Sequence, residues 1–455
     1  MNMKKKFALW TFVLLLASSM YMLGTIRPDA SAHEGSHTTE EGEAAEGSIT
    51  VYLDGRLLST PGSVSSDLAE IRVSPQDVAD ALDLSYRWDE GARTVYIDGK
   101  ELPAAADPVK IGANVMAVAE PLANALGLQY DYDDAGHTVM LGTPKAEKQF
   151  HEEESKVRDV FEGKGLTPAV EADGTKTFTL TAEMADWAPL KGVLTTAWTY
   201  NGQVAGPTLR VTEGDKVRIK FLNKLPEPST IHWHGLHLPN AMDGVPGITQ
   251  NEVQPGKEFD YEFTASHPGT FMYHAHYDDM KQIVGGLYGA FIIDPAKKPT
   301  PVPASGDLAD GMAFDKDYTM VLARMNVNAA MDDEPDYFTI NGRSYPDTPP
   351  IELKKGQTAR VRMINIDPVD VHTMHLHGMD FQVIARKGHP VKTVETMNTV
   401  LIGPGETVDV AFRADAPGDW MFHCHILDHT MNGGEHANMG AEMGGLITLV
   451  KVSDF

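Results

Sequence analysis

The sequence holds a single cysteine, Cys424, among 455 residues. An internal disulfide is therefore excluded, and that thiol is either buried and inert or a metal ligand. Basic residues are also in short supply. Lys and Arg number 38 against 64 Asp and Glu, for a formal net charge of -26. That balance argues against nucleic acid or an anionic membrane as partner, and it suits solubility and the attraction of cations, copper ions among them. Long apolar runs are scarce too. One stands out, Phe7 to Leu23, preceded by Lys4, Lys5 and Lys6 and followed by Ala30-Ser31-Ala32. This is the pattern of a secretory signal peptide over residues 1–32. The run is near the lower limit for a spanning helix, so an uncleaved anchor is the alternative. Either way the chain is expected to be secreted or held at the cell surface.

What is present falls into distinct textures. Residues 33–48 are Glu-rich, lack large apolar side chains and read as a disordered acidic linker in which His33 and His37 are solvated. Residues 49–143 carry an internal repeat: VADALDLSYRWDEGARTV begins at Val78 and LANALGLQYDYDDAGHTV at Leu122. Each half reads as a short helix, a turn and a strand, a small α+β domain in which His137 is a surface residue. This repeat resembles the stalk-type domain named after the copper amine oxidase N-terminus. That resemblance implies a spacer or cell-envelope attachment rather than amine oxidase chemistry. Residues 144–175 read as a charged linker holding a short exposed helix. From there strands, Pro-Gly turns and β-branched runs continue to the end, a mainly β sandwich architecture.

The β region is duplicated. NGQVAGPTLRVTEGDKVRIKFLN from Asn201 matches NGRSYPDTPPIELKKGQTARVRMIN from Asn341; HWHG at His232 matches HLHG at His375. QPGKEFDYEF at Gln254 matches GPGETVDVAF at Gly403, and PGTFMYHAH at Pro268 matches PGDWMFHCH at Pro417. Matched blocks in one order mean two copies of one β-domain, 176–296 and 317–453, joined by a Pro-rich connector over 297–316.

The chemistry lies in His-X-His. It occurs at His232/His234, His274/His276, His375/His377 and His423/His425. Eighteen histidines in 455 positions would give roughly 0.7 such pairs by chance. Satisfied core histidines do not account for pairs at equivalent positions of a repeat. Residues i and i+2 of a strand share a face, so each pair offers two imidazoles to one side. Neutral imidazole suits copper. In His423-Cys424-His425 the sulfur must face away from its neighbours and serve a different metal. His372, three residues before His375, falls on the face opposite His375 and His377, so it joins Cys424. His429, four residues beyond His425, supplies a second imidazole. A His₂Cys site with a weak axial thioether is the blue-copper arrangement.

These residues resemble the multicopper oxidases of laccase type, over nearly the whole of both β-domains, through HWHGLHLPNAMDGVPG, HAH, HTMHLHG and HCHILDH. The resemblance implies two cupredoxin-type Greek-key β-sandwich domains and four coppers per functional unit. His372, Cys424 and His429 would hold the type 1 copper, and His232 and His375 the type 2. His234, His274, His276, His377, His423 and His425 would hold the type 3 pair. Domain one has Ala275 and Ser229 where domain two has Cys424 and His372, so only domain two carries the blue site. With only two such domains, the resemblance implies a homotrimer whose three-copper clusters are shared between neighbouring chains.

The family's axial Met position, five residues after the second type 1 histidine, is Gly434. Aligning the final strand makes Met443 the axial candidate, ahead of Met439 and Met431. The insertion holding them, with His436, is either a polar loop or an accessory cuprous site. Asp243 matches the acid that delivers protons to bound oxygen species; the second acid of many relatives is replaced by Thr430. Asp428 either orients substrate or is solvated. His151, His237, His267 and His389 show no partner spacing and read as structural or exposed. The implied reaction is one-electron oxidation of a phenol, aromatic amine or low-valent metal ion, entering at an exposed His429 edge, coupled to reduction of dioxygen to water. The alternatives are a copper-nitrite-reductase-like enzyme and a non-enzymatic electron-transfer or copper-storage protein.

Overall fold

A computed structural model describes residues 47–64, 70–133, 138–303, 306–326, 337–432 and 443–454. The leader, His33, His37, His137, Gly434, His436 and Met439 lie outside them. Among the described residues, no helix is long and apolar enough to cross a membrane.

The N-terminal domain has an eight-stranded sheet, a separate three-stranded sheet and two short helices. Helix Pro75–Ala81 begins on Ser74, whose hydroxyl accepts from the Asp77 amide, and Ala119–Leu126 ends on Gly127 in the left-handed conformation. Each helix leads into a hairpin: Tyr86–Asp89 with Thr94–Ile97, and Gln129–Asp133 with Thr138–Gly142. The repeat unit is thus a helix and two strands.

Residues 144–161 depart from the expected short exposed helix. Pro144–Phe161 is a continuous 18-residue helix, capped by Thr143. Val157, Val160 and Phe161 recur at helical spacing and are buried. Glu153 is fully buried, with its carboxylate 3.2 Å from Arg343. The helix packs one face on the β-domains and exposes the other.

The two β-domains repeat one plan. In the first, a sheet containing Lys176–Trp187, Lys216–Asn223 and Glu258–Thr264 faces a sheet ordered Gly206–Thr212, Tyr288–Asp294, Gly269–Ala275, Ile231–His234. In the second, Lys316–Met325, Thr358–Asn365 and Thr407–Arg413 face a sheet ordered Ile351–Lys354, Ile447–Ser453, Gly418–Cys424, His372–Leu376, Thr399–Ile402. Both sandwiches pair their first long strand in parallel with the second, and both run a parallel pair through the opposite sheet. Mixed pairing of this kind fits the expected Greek-key sandwiches.

Strand Lys216–Asn223 alternates: Val217, Ile219 and Phe221 point inward, while Lys216 and Lys220 are exposed. Its counterpart Thr358–Asn365 is buried throughout. Val361 and Met363 belong to the sandwich core, and Arg362 is instead bonded across the domain boundary. Arg362 donates to Thr270 at 2.7 Å and to Asp317 at 2.8 and 2.9 Å, and Asp317 also receives Arg210. Thr270 in turn donates to Asp409 at 3.0 Å. This network fixes the first domain's His-bearing sheet against the second domain.

Candidate metal centres

Strand pairing builds the sites. Ile231–His234 pairs antiparallel with Gly269–Ala275, so that His232 lies opposite His274 and Ile231 opposite Ala275. In the second domain His375 lies opposite His423, and Met374 opposite Cys424. Ile231, Trp233 and Ala275 fill the sandwich; Met374, Leu376 and Cys424 do the same. The histidines alternate to the other face, as period-two geometry requires.

The first quartet is compact. His232 lies 5.7, 5.4 and 5.4 Å, centroid to centroid, from His234, His274 and His276. Ligand nitrogens of His232, His234 and His274 lie within 4.8 Å of one another. The second repeats it: His375 to His377, His423 and His425 measures 4.9, 5.8 and 5.7 Å. Among the described residues, no ring of one quartet contacts a ring of the other.

The rings are oriented from behind. His232 Nδ1 donates to the Asp243 carbonyl at 2.8 Å, and His375 Nδ1 to the Asn398 carbonyl at 2.7 Å. His274 Nδ1 donates to the Ala275 carbonyl at 2.8 Å, and His423 Nδ1 to the Cys424 carbonyl at 2.7 Å. Each Nε2 is thereby left as a lone-pair donor, the usual state of a ligating histidine. His423 Nε2 faces His377 Nε2 at 3.0 Å. Burial drives the basicity of His234, His377 and His423 down, and that of His274 to about 3, so these rings are neutral ligands.

Asp243 takes its place through its neighbour. Gly244 has φ +86°, and a Cβ there would lie 1.9 Å from the Ile231 carbonyl oxygen. Only glycine lets the backbone come this close and hold the Asp243 carbonyl on His232. The Asp243 carboxylate itself is 3.5 Å from His232 Nδ1 and partly exposed.

Behind the second quartet lies a different cluster. His372, Cys424 and His429 are all buried, with ligand atoms within 4.8 Å of one another. His372 Nδ1 is 3.1 Å from His429 Nδ1, and Cys424 Sγ is 3.6 Å from His429 Nδ1. The Thr373 amide donates to the sulfur at 3.4 Å. Burial pushes the thiol up and holds His372 at about 3. Two neutral imidazoles and a buried thiol around one point fit a copper ion, which would displace the thiol proton.

Two expectations change here. His429 does not present an exposed edge: it is 4% exposed, with Phe338 stacked on its ring at 4.1 Å. The outer rim instead carries exposed Val371 beside His372 and exposed Leu427 near His429, together with the exposed Asp428. Met443 is 53% exposed, so an axial role asks its thioether to turn inward.

Sequence reading missed Gln282. Ser229 is fully buried and donates to Gln282 Oε1 at 2.8 Å. Ser229, at the repeat position of His372, is thus held by Gln282 in the first domain. Neither side chain is a good copper ligand. No spacing rule pairs Ser229 with a residue 53 positions away.

A family model described as multicopper oxidase matches residues 181–298, and a second of the same description matches 318–436. Laccase-15 of Oryza sativa subsp. japonica is 36% identical over 234 residues, which is 48% of this chain and 38% of that protein. The chain therefore spans less than half the length of this relative. The blue copper oxidase from Nitrosomonas europaea superposes with a TM-score of 0.55 at 34% identity, covering 61% of this chain and 85% of that one. The copper nitrite reductase from Nitrosomonas europaea reaches 0.50 at 26% identity, covering 62% and 94%.

Proposed function

The chain belongs to the multicopper oxidase family, and from that premise we propose that it is a laccase-like oxidase. It takes single electrons from a phenol, an aromatic amine or a low-valent metal ion at His372, Cys424 and His429, and it reduces dioxygen to water at a three-copper cluster. Copper bound in these sites would supply the one-electron redox chemistry that the side chains themselves lack. The observation that carries the reading is the strand segment His423-Cys424-His425, whose sulfur enters the buried triad while its flanking imidazoles enter the quartet on the opposite face. The bonded path from Cys424 Sγ to either neighbour is the shortest covalent link between the two sets.

The chain's own residues have definite tasks. His232, His234, His274, His276, His375, His377, His423 and His425 would hold the cluster, with His232 and His375 serving its type 2 copper. Asp243 keeps His232 aligned through its carbonyl, and its carboxylate, 3.5 Å from that ring, would serve as the proton donor at the cluster. Met443 would supply a further, thioether ligand at the His372, Cys424 and His429 site. His377 and His425 are exposed in the single chain, and the two quartets share no ring contact among the described residues. Both facts support a head-to-tail trimer that closes each cluster between neighbouring chains. The leader exports the protein, and the N-terminal domain serves envelope association or spacing.

Similarity to a copper nitrite reductase favours a second reading. The eight clustered histidines oppose it, as does Ala275 in the first domain, where a thiolate site would sit in such an enzyme. Oxygen uptake by the copper-loaded protein with a phenolic reductant tests the proposal. Nitrite consumption without oxygen uptake would establish the rival.

A further inference from the structure

Helix Pro144–Phe161 joins the N-terminal domain to the first β-domain, and it also grips the same turn in both repeats. The turns are Asn201-Gly202 and Asn341-Gly342, with all four residues in the left-handed region. In the first domain Lys156 Nζ donates to the Gly202 carbonyl at 2.9 Å. In the second, the residue after the pair, Arg343, reaches back to the helix. Its Nη2 donates to the Phe150 carbonyl at 2.8 Å and lies 3.2 Å from the Glu153 carboxylate.

The second grip is buried. Arg343 is 2% exposed, with its guanidinium 4.1 Å over the Phe150 ring and 5.3 Å from that of Trp187. Glu153 is oriented for it by Gln149 Nε2 at 2.7 Å and by the Ala188 amide at 3.2 Å. The turn itself accepts the Trp187 indole N–H on the Gly342 carbonyl at 2.8 Å, and a Cβ on Gly342 would lie 2.2 Å from the Val204 carbonyl oxygen. Removing either Glu153 or Arg343 leaves the other as an uncompensated buried charge, so loss of one must disturb the turn.

In the second domain this turn carries the cover of the buried triad. The strand before it, Tyr337–Ile340, has four residues and is the edge of its sheet. Its end is tied to the turn: Ile340 N donates to the Arg343 carbonyl at 2.7 Å, and Ser344 Oγ to the Phe338 carbonyl at 2.6 Å. Phe338 stacks on His429 at 4.1 Å and meets His372 edge-on at 5.9 Å. The chain beyond the turn reaches the same histidine. Tyr345 N donates to the Gly445 carbonyl at 3.1 Å, and Leu446, next in sequence, donates to the His429 carbonyl at 2.9 Å. The first domain has Ser229 and Ala275 in place of the triad's His372 and Cys424, so Lys156 grips an equivalent turn with no such site behind it.

We propose that Glu153 and Arg343 are positioning residues for electron entry: through the turn at Gly342 they hold Phe338 over His429 and so keep water from the His372, Cys424 and His429 site. The helix that carries the N-terminal domain is thereby coupled to that site. The inference rests on the assignment of these three residues to the type 1 copper. Reduction removes the net positive charge of a thiolate-bound Cu²⁺, and dry surroundings disfavour the charged form, so a closed cover holds the reduction potential up.

The test compares full-length, copper-loaded wild type with Arg343→Met, Phe338→Leu and Lys156→Met by redox titration of the blue absorption. Arg343→Met and Phe338→Leu should both lower the type 1 potential. Lys156→Met, which frees the first domain's turn from the same helix, should keep the wild-type value. Should Arg343→Met fail to load copper, Glu153→Gln, of the same size, replaces it with the same expected direction. In the metal-free proteins the sole thiol, Cys424, is buried. It should react with a thiol reagent about tenfold faster in Arg343→Met and Phe338→Leu than in wild type or Lys156→Met, as a locally opened site would. If the wild type forms no blue copper, the oxidase reading fails by itself and the thiol rates decide this proposal. A wild-type potential and thiol rate in Arg343→Met, or an equal change in Lys156→Met, overturns it.

Discussion

His423 and Cys424 are consecutive in one strand, yet His423 Nε2 faces His377 Nε2 at 3.0 Å while the Cys424 sulfur lies 3.6 Å from His429 Nδ1 behind the sheet. One peptide unit thus separates an imidazole cluster, whose outer rings His377 and His425 are exposed, from a buried thiol cluster. The His423 ring is also hydrogen-bonded to the Cys424 carbonyl, so disturbance of either residue reaches the other.

Cys424→Ser should abolish the intense blue absorption and oxidation of reductants, while the near-ultraviolet band of the type 3 pair persists. The visible and near-ultraviolet spectrum of the copper-loaded variant checks this. Survival of the blue colour would remove Cys424 from the type 1 site.

Asp243→Asn keeps the backbone carbonyl on His232 but removes the ionisable oxygen. Oxygen reduction should slow by about a hundredfold, in the range of a lost general acid. Anaerobic reduction of the blue site by substrate should keep its wild-type rate. Stopped-flow measurement of the two half-reactions separates these effects.

Gly244→Ala tests the backbone that positions Asp243. The new Cβ would meet the Ile231 carbonyl oxygen at 1.9 Å in a left-handed residue, so the loop must move away from His232. Copper per chain should fall and the melting temperature should drop by several degrees. Full copper content with an unchanged melting temperature would refute that role of the loop.

The interdomain arginine network gives a pH signature. Burial would raise Asp317, but Arg362, then Arg360 and Arg210, outweigh it and hold its carboxyl at about 2, below the ordinary 3.8. A depressed carboxylate contributes stability above its unfolded pKa and loses it as pH falls through the folded value. The shift corresponds to about 2 kcal/mol; 27% of the side chain is exposed, so solvent screening trims even this. Asp317→Asn should therefore be less stable than wild type by about that much at pH 7. The gap should narrow below about pH 4 in denaturant titrations.

The two histidine quartets and the His372, Cys424 and His429 cluster were legible in the sequence because strand periodicity is local. His-X-His places two rings on one face and Cys424 on the other, and the pairing of His375 with His423 realises that pattern. What was not legible depends on distant segments. Ser229 with Gln282, Phe338 over His429, and His267 beside His389 each join residues that no local period relates. The helix Pro144–Phe161 looked exposed because its charge count conceals one buried stripe, and because Glu153 is buried by a partner almost two hundred residues later, Arg343.

The most direct test of the central claim is the stoichiometry of dioxygen consumption by the copper-loaded full-length protein with a one-electron phenolic donor. Four donor molecules oxidised for each dioxygen consumed, with no hydrogen peroxide accumulating, is the result expected of a chain whose His423-Cys424-His425 segment joins a thiolate site to a three-copper cluster. Two donors per dioxygen with peroxide released, or no uptake by a fully loaded sample, would contradict it.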